Sequence, residues 1–254
     1  MISARLLAKF YGKPGDPRYD GTLMFFSMVR QQVHPNSRIL NLGAGPATKD
    51  PRCIRKGEVA ELVGADIDPV VLTNDELDIQ FVIEGDQLPF EDESFDLVFS
   101  DYVLEHVEHP SRFLAQVYRV LKPGCSYFFR TPNIYHYVAL GARLTPHWLH
   151  KRVANQMRGL PEETHEPWHT FYRLNSRARI LKEARQAGFG SVELKMVEKQ
   201  PSYLAFHPLP FLAGVGYERI VNSRECFAGL RSNIFGRLTK PPYLAFGADN
   251  SSSP

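Results

Sequence analysis

No run of about twenty consecutive apolar residues occurs in this sequence, which argues against a helix built to cross a bilayer. Cysteine is scarce: Cys53, Cys125 and Cys226 are far apart and odd in number. That pattern argues against a disulfide framework or a thiolate metal cluster and predicts a reducing, cytoplasmic setting. Basic blocks are missing too. With 30 Lys and Arg against 28 Asp and Glu, the net charge is only +2. Without a cationic arm, no nucleic-acid partner is expected. The opening "MISARLLAKFYGKPGD" turns charged too early for a secretory signal. No internal repeat is visible, and only the tail at 248–254 has a disordered composition.

What remains is an ordinary globular composition, 43% hydrophobic and 23% charged, on 254 residues, enough for a full core. From Ser37 to Thr131 the stretches "RILNLG", "AELVGAD", "IQFVIEGD", "FDLVFSD" and "SYFFRTP" read as buried strands, each ending in a polar or glycine position. Near-continuous apolar runs suit parallel strands covered on both faces. Between the last two, Phe113, Leu114, Val117, Val120 and Leu121 mark one face of a helix. "NSRARILKEARQAGF" predicts another helix, capped by Asn175 or Ser176 and ended by Gly188, and "SVELKMVEK" and "NIFGRLTK" predict two further strands. The alternation predicts an α/β, doubly wound, mostly parallel Rossmann-like sheet.

Three organisational expectations follow. Residues 1–36 form a leader with one helix near Thr22 to Val33. Residues 37–247 form the main domain. Aromatic-rich insertions at 133–173 and 201–231 lie on its substrate side, because a connection that long inside a compact domain is usually functional. "YLAFHPLPFLAGVGY" within the second insertion predicts a buried cap, with shallow membrane contact the less favoured alternative.

In an open parallel sheet, ligands sit beyond the carboxyl ends of the strands. After the first strand, "NLGAGPA" offers Gly43 and Gly45 for a tight turn and close backbone approach. Asp66 follows the second strand, where a carboxylate can accept both hydroxyls of a ribose. Asp86 follows the third, in "GDQLPF", and "SDYVLEHV" follows the fourth. A nicotinamide fingerprint would want Gly or Ala at position 48, which is Thr48.

"ILNLGAGPA", "LVGADIDP", "IEGDQLPFEDESFDLVFSDYVLEHV" and "LKPGCSYFF" together resemble the successive motifs of class I S-adenosylmethionine-dependent methyltransferases of the broad small-molecule group, over roughly residues 37–132. The resemblance implies S-adenosyl-L-methionine as cofactor and an antiparallel last strand. It places Asn41, Gly43, Ala44 and Gly45 along the methionine part, Asp66 on the ribose and Ile67 beside the adenine. It also places Asp86 and Gln87 at the adenine amine, with Asp101 and Tyr102 touching the cofactor from the fourth strand. Asn41 stands where the family usually has an acidic residue and Ala47 replaces a frequent third glycine, which implies weaker binding or a different water network.

The implied reaction is methyl transfer to a small apolar or aromatic acceptor. The alternative is a cofactor-binding partner or sensor without turnover. Glu105 and His106 are the catalytic candidates for removing an acceptor proton, while Tyr135, His136, His169 and Tyr172 are the acceptor-binding candidates. "HEPWH" fits a zinc-peptidase spacing, but Pro167 breaks the helix that such a site needs, so no metal is expected. The leader's Tyr11, Arg18 and Tyr19 are expected on a loop that closes over the cofactor. The oligomeric state is not encoded in any feature of the sequence.

Overall fold

The computed structural model describes residues 4–12, 16, 19–85, 87–137, 169–201 and 204–243. Strands β1 (Arg38–Leu42), β2 (Glu61–Asp66), β3 (Ile79–Val82), β4 (Phe95–Asp101), β5 (Leu121–Pro132), β6 (Ser191–Val197) and β7 (Asn233–Thr239) form one sheet. Its order is β3-β2-β1-β4-β5-β7-β6. Neighbours from β3 to β5 are parallel, and β7 runs antiparallel to both β5 and β6. The chain order reverses between β1 and β4, so the crevice expected to hold a ligand opens beyond Leu42 and Asp101.

Period-two alternation sends successive side chains to opposite faces. Ile39, Leu97, Phe99, Phe128 and Phe235 meet Phe25, Phe26 and Val29 of helix α2 (Gly21–Arg30). Leu40, Val98, Tyr127, Phe129 and Leu238 share the other core with α3 (Pro110–Val120) and α4 (Arg177–Gln186). The α3 stripe arrives as Leu114, Val117 and Val120, with Pro110 in its first turn. Ser176, not Asn175, caps α4 by accepting the Arg179 amide.

Among the described residues the leader holds two helices, α1 (Ala4–Tyr11) and α2, and α2 ends at Arg30, short of Val33. The prolines of "FHPLPFL" begin a helix and do not interrupt one: α5 (Pro208–Ser223) carries Pro208 in its first turn, where a missing amide costs nothing. Its inner face, Phe211 and Val215, packs on Tyr11. The predicted burial therefore holds for one side of α5, while Leu209, Leu212 and Ile220 on the other are exposed. The tail at 248–254 and positions 138–168 of the first insertion lie outside the described residues.

One close contact sets a stability expectation. A Cβ at Gly236 would lie 2.1 Å from Cζ of the fully buried Phe129 ring, which has no room to retreat. Gly236→Ala should lower stability by about 2 kcal/mol through overpacking, read as a lower urea midpoint at unchanged slope.

Candidate functional site

Gly43 and Gly45, just past β1, both take left-handed backbone, φ +78 and +54. The Gly43 amide donates to the Ala65 carbonyl at 2.7 Å. A Cβ on Gly43 would sit 2.2 Å from Val103 Cγ2, so this glycine lets the loop close on the turn after β4. At Gly45 no atom lies within 4 Å of that position. The first glycine is closed by packing; the second opens onto free space.

Asp66 ends β2 and shapes that loop. One carboxylate oxygen accepts the Gly45 amide at 2.8 Å and the other accepts the Asp68 amide at 2.9 Å. Asn74 completes the turn by donating to the Gly45 carbonyl at 3.0 Å. Ile67 follows with its side chain 52% exposed, an apolar group left open beside a carboxylate. Asn41 and Ala44 are half-buried along the same rim, and Gln87 is exposed beyond β3. Asp86 lies outside the described residues.

Asp101 at the end of β4 meets a residue that sequence reasoning missed. Arg130 of β5 clamps it through Nε to Oδ1 and through Nη2 to Oδ2 at 2.6 Å. The guanidinium also donates to Thr22 Oγ1 of α2 at 3.0 Å and lies over the Tyr102 ring at 4.7 Å. The signal was legible in principle: an arginine inside the apolar run "SYFFRTP" must find an anion. Tyr102 itself has φ +56, uncommon for an aromatic residue. Its amide donates to the Arg130 carbonyl and its hydroxyl to Asn233 Oδ1, both at 3.0 Å.

Glu105 is buried, and desolvation lifts its carboxyl to about 7. Asn175 donates to Thr131 Oγ1 at 2.6 Å, and that hydroxyl donates to the Glu105 carboxylate at 3.1 Å. The Glu105 carbonyl accepts the amides of Phe171 at 2.8 Å and Tyr172 at 3.1 Å. His106 Nδ1 lies 2.9 Å from the His169 carbonyl. A carbonyl only accepts, so Nδ1 carries the proton and a neutral ring keeps its lone pair on Nε2. The structure thus brings four sequence candidates together, Glu105 and His106 with His169 and Tyr172. The rest of "HEPWH" lies outside the described residues.

Tyr135 and His136 diverge. Tyr135 lines a cavity of about 800 Å³ with Leu181, Leu194 and Met196, on the α4 side of β6. His136 is buried, with Nε2 3.5 Å from the buried carboxylate of Glu198, another residue missed from sequence. Burial raises Glu198 and lowers His136, so both favour their neutral forms. Glu198 accepts the Ser232 amide at 2.8 Å, and Ser232 Oγ accepts from Asn233, which also bonds Tyr102. A polar chain therefore runs along the rim from β4 to β6. The His136 ring also meets Tyr217 of α5.

The leader is tied to this rim and not free beside it. Asp20 caps α2 and pairs with Arg52 of the loop after β1 at 2.6 Å. Arg52 in turn holds Asp50 down to about 2. Tyr11 does not face the cofactor loop as expected: it packs edge-on to Tyr19 and Phe211, and burial raises its phenol far above the ordinary value. Apolar contact with α5 wins over solvent for this side chain. Arg18 lies outside the described residues.

Residues 40–129 match a family model described as a methyltransferase domain. The chain is 32% identical over 170 residues to a ubiquinone biosynthesis O-methyltransferase of Ruegeria pomeroyi, covering 62% of each chain. It is 29% identical over 163 residues to the protein of the same name in Hahella chejuensis, covering 59% of this chain and 63% of that one. The match thus spans less than two thirds of those relatives' length. Among solved structures, the methyltransferase bound to the Haloferax volcanii Trm112 activator superposes with TM-score 0.55 at 19% identity, over 94% of this chain and 96% of that one. The [4+2]-cyclase SpnF superposes with TM-score 0.53 at 17% identity, over 94% and 93%. These likenesses speak for the fold alone.

Proposed function

This chain belongs to the class I S-adenosylmethionine-dependent methyltransferases, and on that premise we propose that it methylates a hydroxyl on a small aromatic acceptor of the quinone-precursor type. The observation that carries the cofactor half is the Gly45 turn: left-handed backbone facing free space, held from behind by the Asp66 carboxylate. A side chain at Gly45 would fill volume that the methionine part of the cofactor needs. Asp66 accepts the ribose hydroxyls, Ile67 covers one adenine face, and Gln87 lies at the adenine edge. Asn41 and the Arg130-held Asp101 border the amino-acid end.

The cofactor supplies an activated methyl group, so the protein's work is alignment, exclusion of water and proton removal. Phe171, Tyr172 and His169 flank the acceptor from the returning limb of the insertion, which the Glu105 carbonyl holds in place. Glu105 accepts the acceptor's hydroxyl proton. A phenol titrates near about 10 in water, and a base poised near neutrality is well matched to the transfer. The acceptor class follows from the aromatic lining and from the names of the two relatives.

The test is turnover of the purified chain with aromatic hydroxyl acceptors, read as formation of S-adenosylhomocysteine. Product with catechol- or quinol-type acceptors is expected. Tight cofactor binding with no product from any of them would instead mark a binding protein and overturn the proposal.

A further inference from the structure

Tyr102 is fixed in an unusual way. Its backbone sits at φ +56, a left-handed region that a bulky aromatic residue enters only under constraint. The constraints are visible at both ends of the side chain. The amide donates to the Arg130 carbonyl at 3.0 Å, and the hydroxyl donates to Asn233 Oδ1 at 3.0 Å. Asn233 is itself oriented, because its amide nitrogen donates to Ser232 Oγ at 2.9 Å. The Arg130 guanidinium lies 4.7 Å from the ring centroid, held there by both oxygens of Asp101 and by Thr22 Oγ1. Yet 40% of the residue stays exposed. With one face on the clamped guanidinium, that exposure falls on the other.

The ring also leans away from the adenosine end. Tyr102 follows β4, but its hydroxyl reaches Asn233, the first residue of β7, two strands further from β1. Gly45 and Asp66 follow β1 and β2, on the other side of β4. The side chain therefore crosses the end of β5. There Arg130 supports the ring, and the next residue, Thr131, donates to the Glu105 carboxylate at 3.1 Å. Platform and proton acceptor are thus held by consecutive residues of one strand, whose side chains leave opposite faces. The stack also selects what can lie on it. A guanidinium on one face draws on the π density of the ring, so a second cation, such as the sulfonium, gains little on the other. A neutral aromatic ring keeps its full area and offset-stacking contact. Asp101 balances the charge of Arg130, so that ring meets no net charge.

We propose that the open face of Tyr102 is the platform on which the methyl acceptor lies, and that this ring sets a preference for aromatic over saturated acceptors. The backbone of Tyr102 stays at the cofactor crevice, while its side chain serves the acceptor. The inference rests on the function proposed above, because it assigns a place to the aromatic hydroxyl compound named there.

The experiment is calorimetry of the full chain loaded with S-adenosylhomocysteine, titrated with catechol and with its saturated counterpart, cyclohexane-1,2-diol. Wild type should prefer catechol by about tenfold. Tyr102→Leu should erase that preference through a loss of about tenfold in catechol affinity, with S-adenosylhomocysteine bound within about threefold of wild type. Tyr102→Phe keeps the ring face and loses only the Asn233 bond, so its catechol affinity should stay within about threefold. Tyr102→Gly suits the positive φ and removes the ring, and it gives the same readout should leucine unfold the chain. Catechol bound in this pattern without turnover upholds the platform and removes only the proposed reaction. Wild type that fails to distinguish the two diols would overturn the platform, as would a catechol preference that survives loss of the ring. An equal loss of S-adenosylhomocysteine in the leucine and glycine variants would also overturn it, by returning the ring to the cofactor.

Discussion

Asp66→Ala should weaken binding of both S-adenosylmethionine and S-adenosylhomocysteine by about 100-fold or more, measured by calorimetry. The carboxylate would accept two ribose hydroxyls, and hydrogen bonds to a charged group contribute about 1.5–3 kcal/mol each. A second loss adds to the first. Asp66 also receives the Gly45 and Asp68 amides, one on each oxygen, so alanine unties the turn that must hold its shape before the ligand arrives. Asp66→Asn keeps one accepting oxygen and should cost about tenfold, because a single neutral bond is worth less than a charged one. Both ligands should suffer equally, since the ribose is common to them. Wild-type affinity in the alanine variant would remove the ribose from this carboxylate and with it the assignment of the crevice.

Much of that crevice was legible before any coordinates, because its devices are local. A glycine pair after an apolar run, a carboxylate after the next, and the motif "SDYVLEH" each sit within a few residues of a strand end, so sequence order alone places them on one rim. The sheet was legible for a related reason: both faces are covered, and the strands show it as unbroken apolar runs. The clamp of Arg130 on Asp101 was harder, since it joins β4 to β5 across register that no spacing encodes. Glu198 was hidden in the same way. It follows β6, far along the chain, and reaches His136 only because β7 inserts between β5 and β6. Helix α5 was masked by its own prolines, which fall inside an apolar segment and prove to be the helix's first turn.

Glu105→Gln tests the proton acceptor and separates it from a packing role. Burial lifts the Glu105 carboxyl from 4.5 to about 7; Asp101 adds to the rise, and the Thr131 hydroxyl and Arg130 oppose it. In the unfolded chain the group titrates at its ordinary value. Between the two, the native state keeps a proton that the unfolded chain has released, so raising the pH favours unfolding. This contribution is intact below about 4.5, declines by about 3 kcal/mol as pH climbs to about 7, and is flat above. Glutamine preserves the acceptor for Thr131 and cannot ionise. The variant should therefore gain stability relative to wild type across that window, read from urea midpoints at its two ends, while Glu198 and His136 contribute equally to both proteins and cancel. Activity should move the other way. The ionised form accepts the proton, so wild-type kcat/KM should climb with pH toward about 7, and the variant should lose about 100-fold together with that limb, at unchanged cofactor affinity. A stability gain with the acidic limb intact would make Glu105 a residue that holds Phe171 and Tyr172 in place, and would pass the proton to another group on the rim.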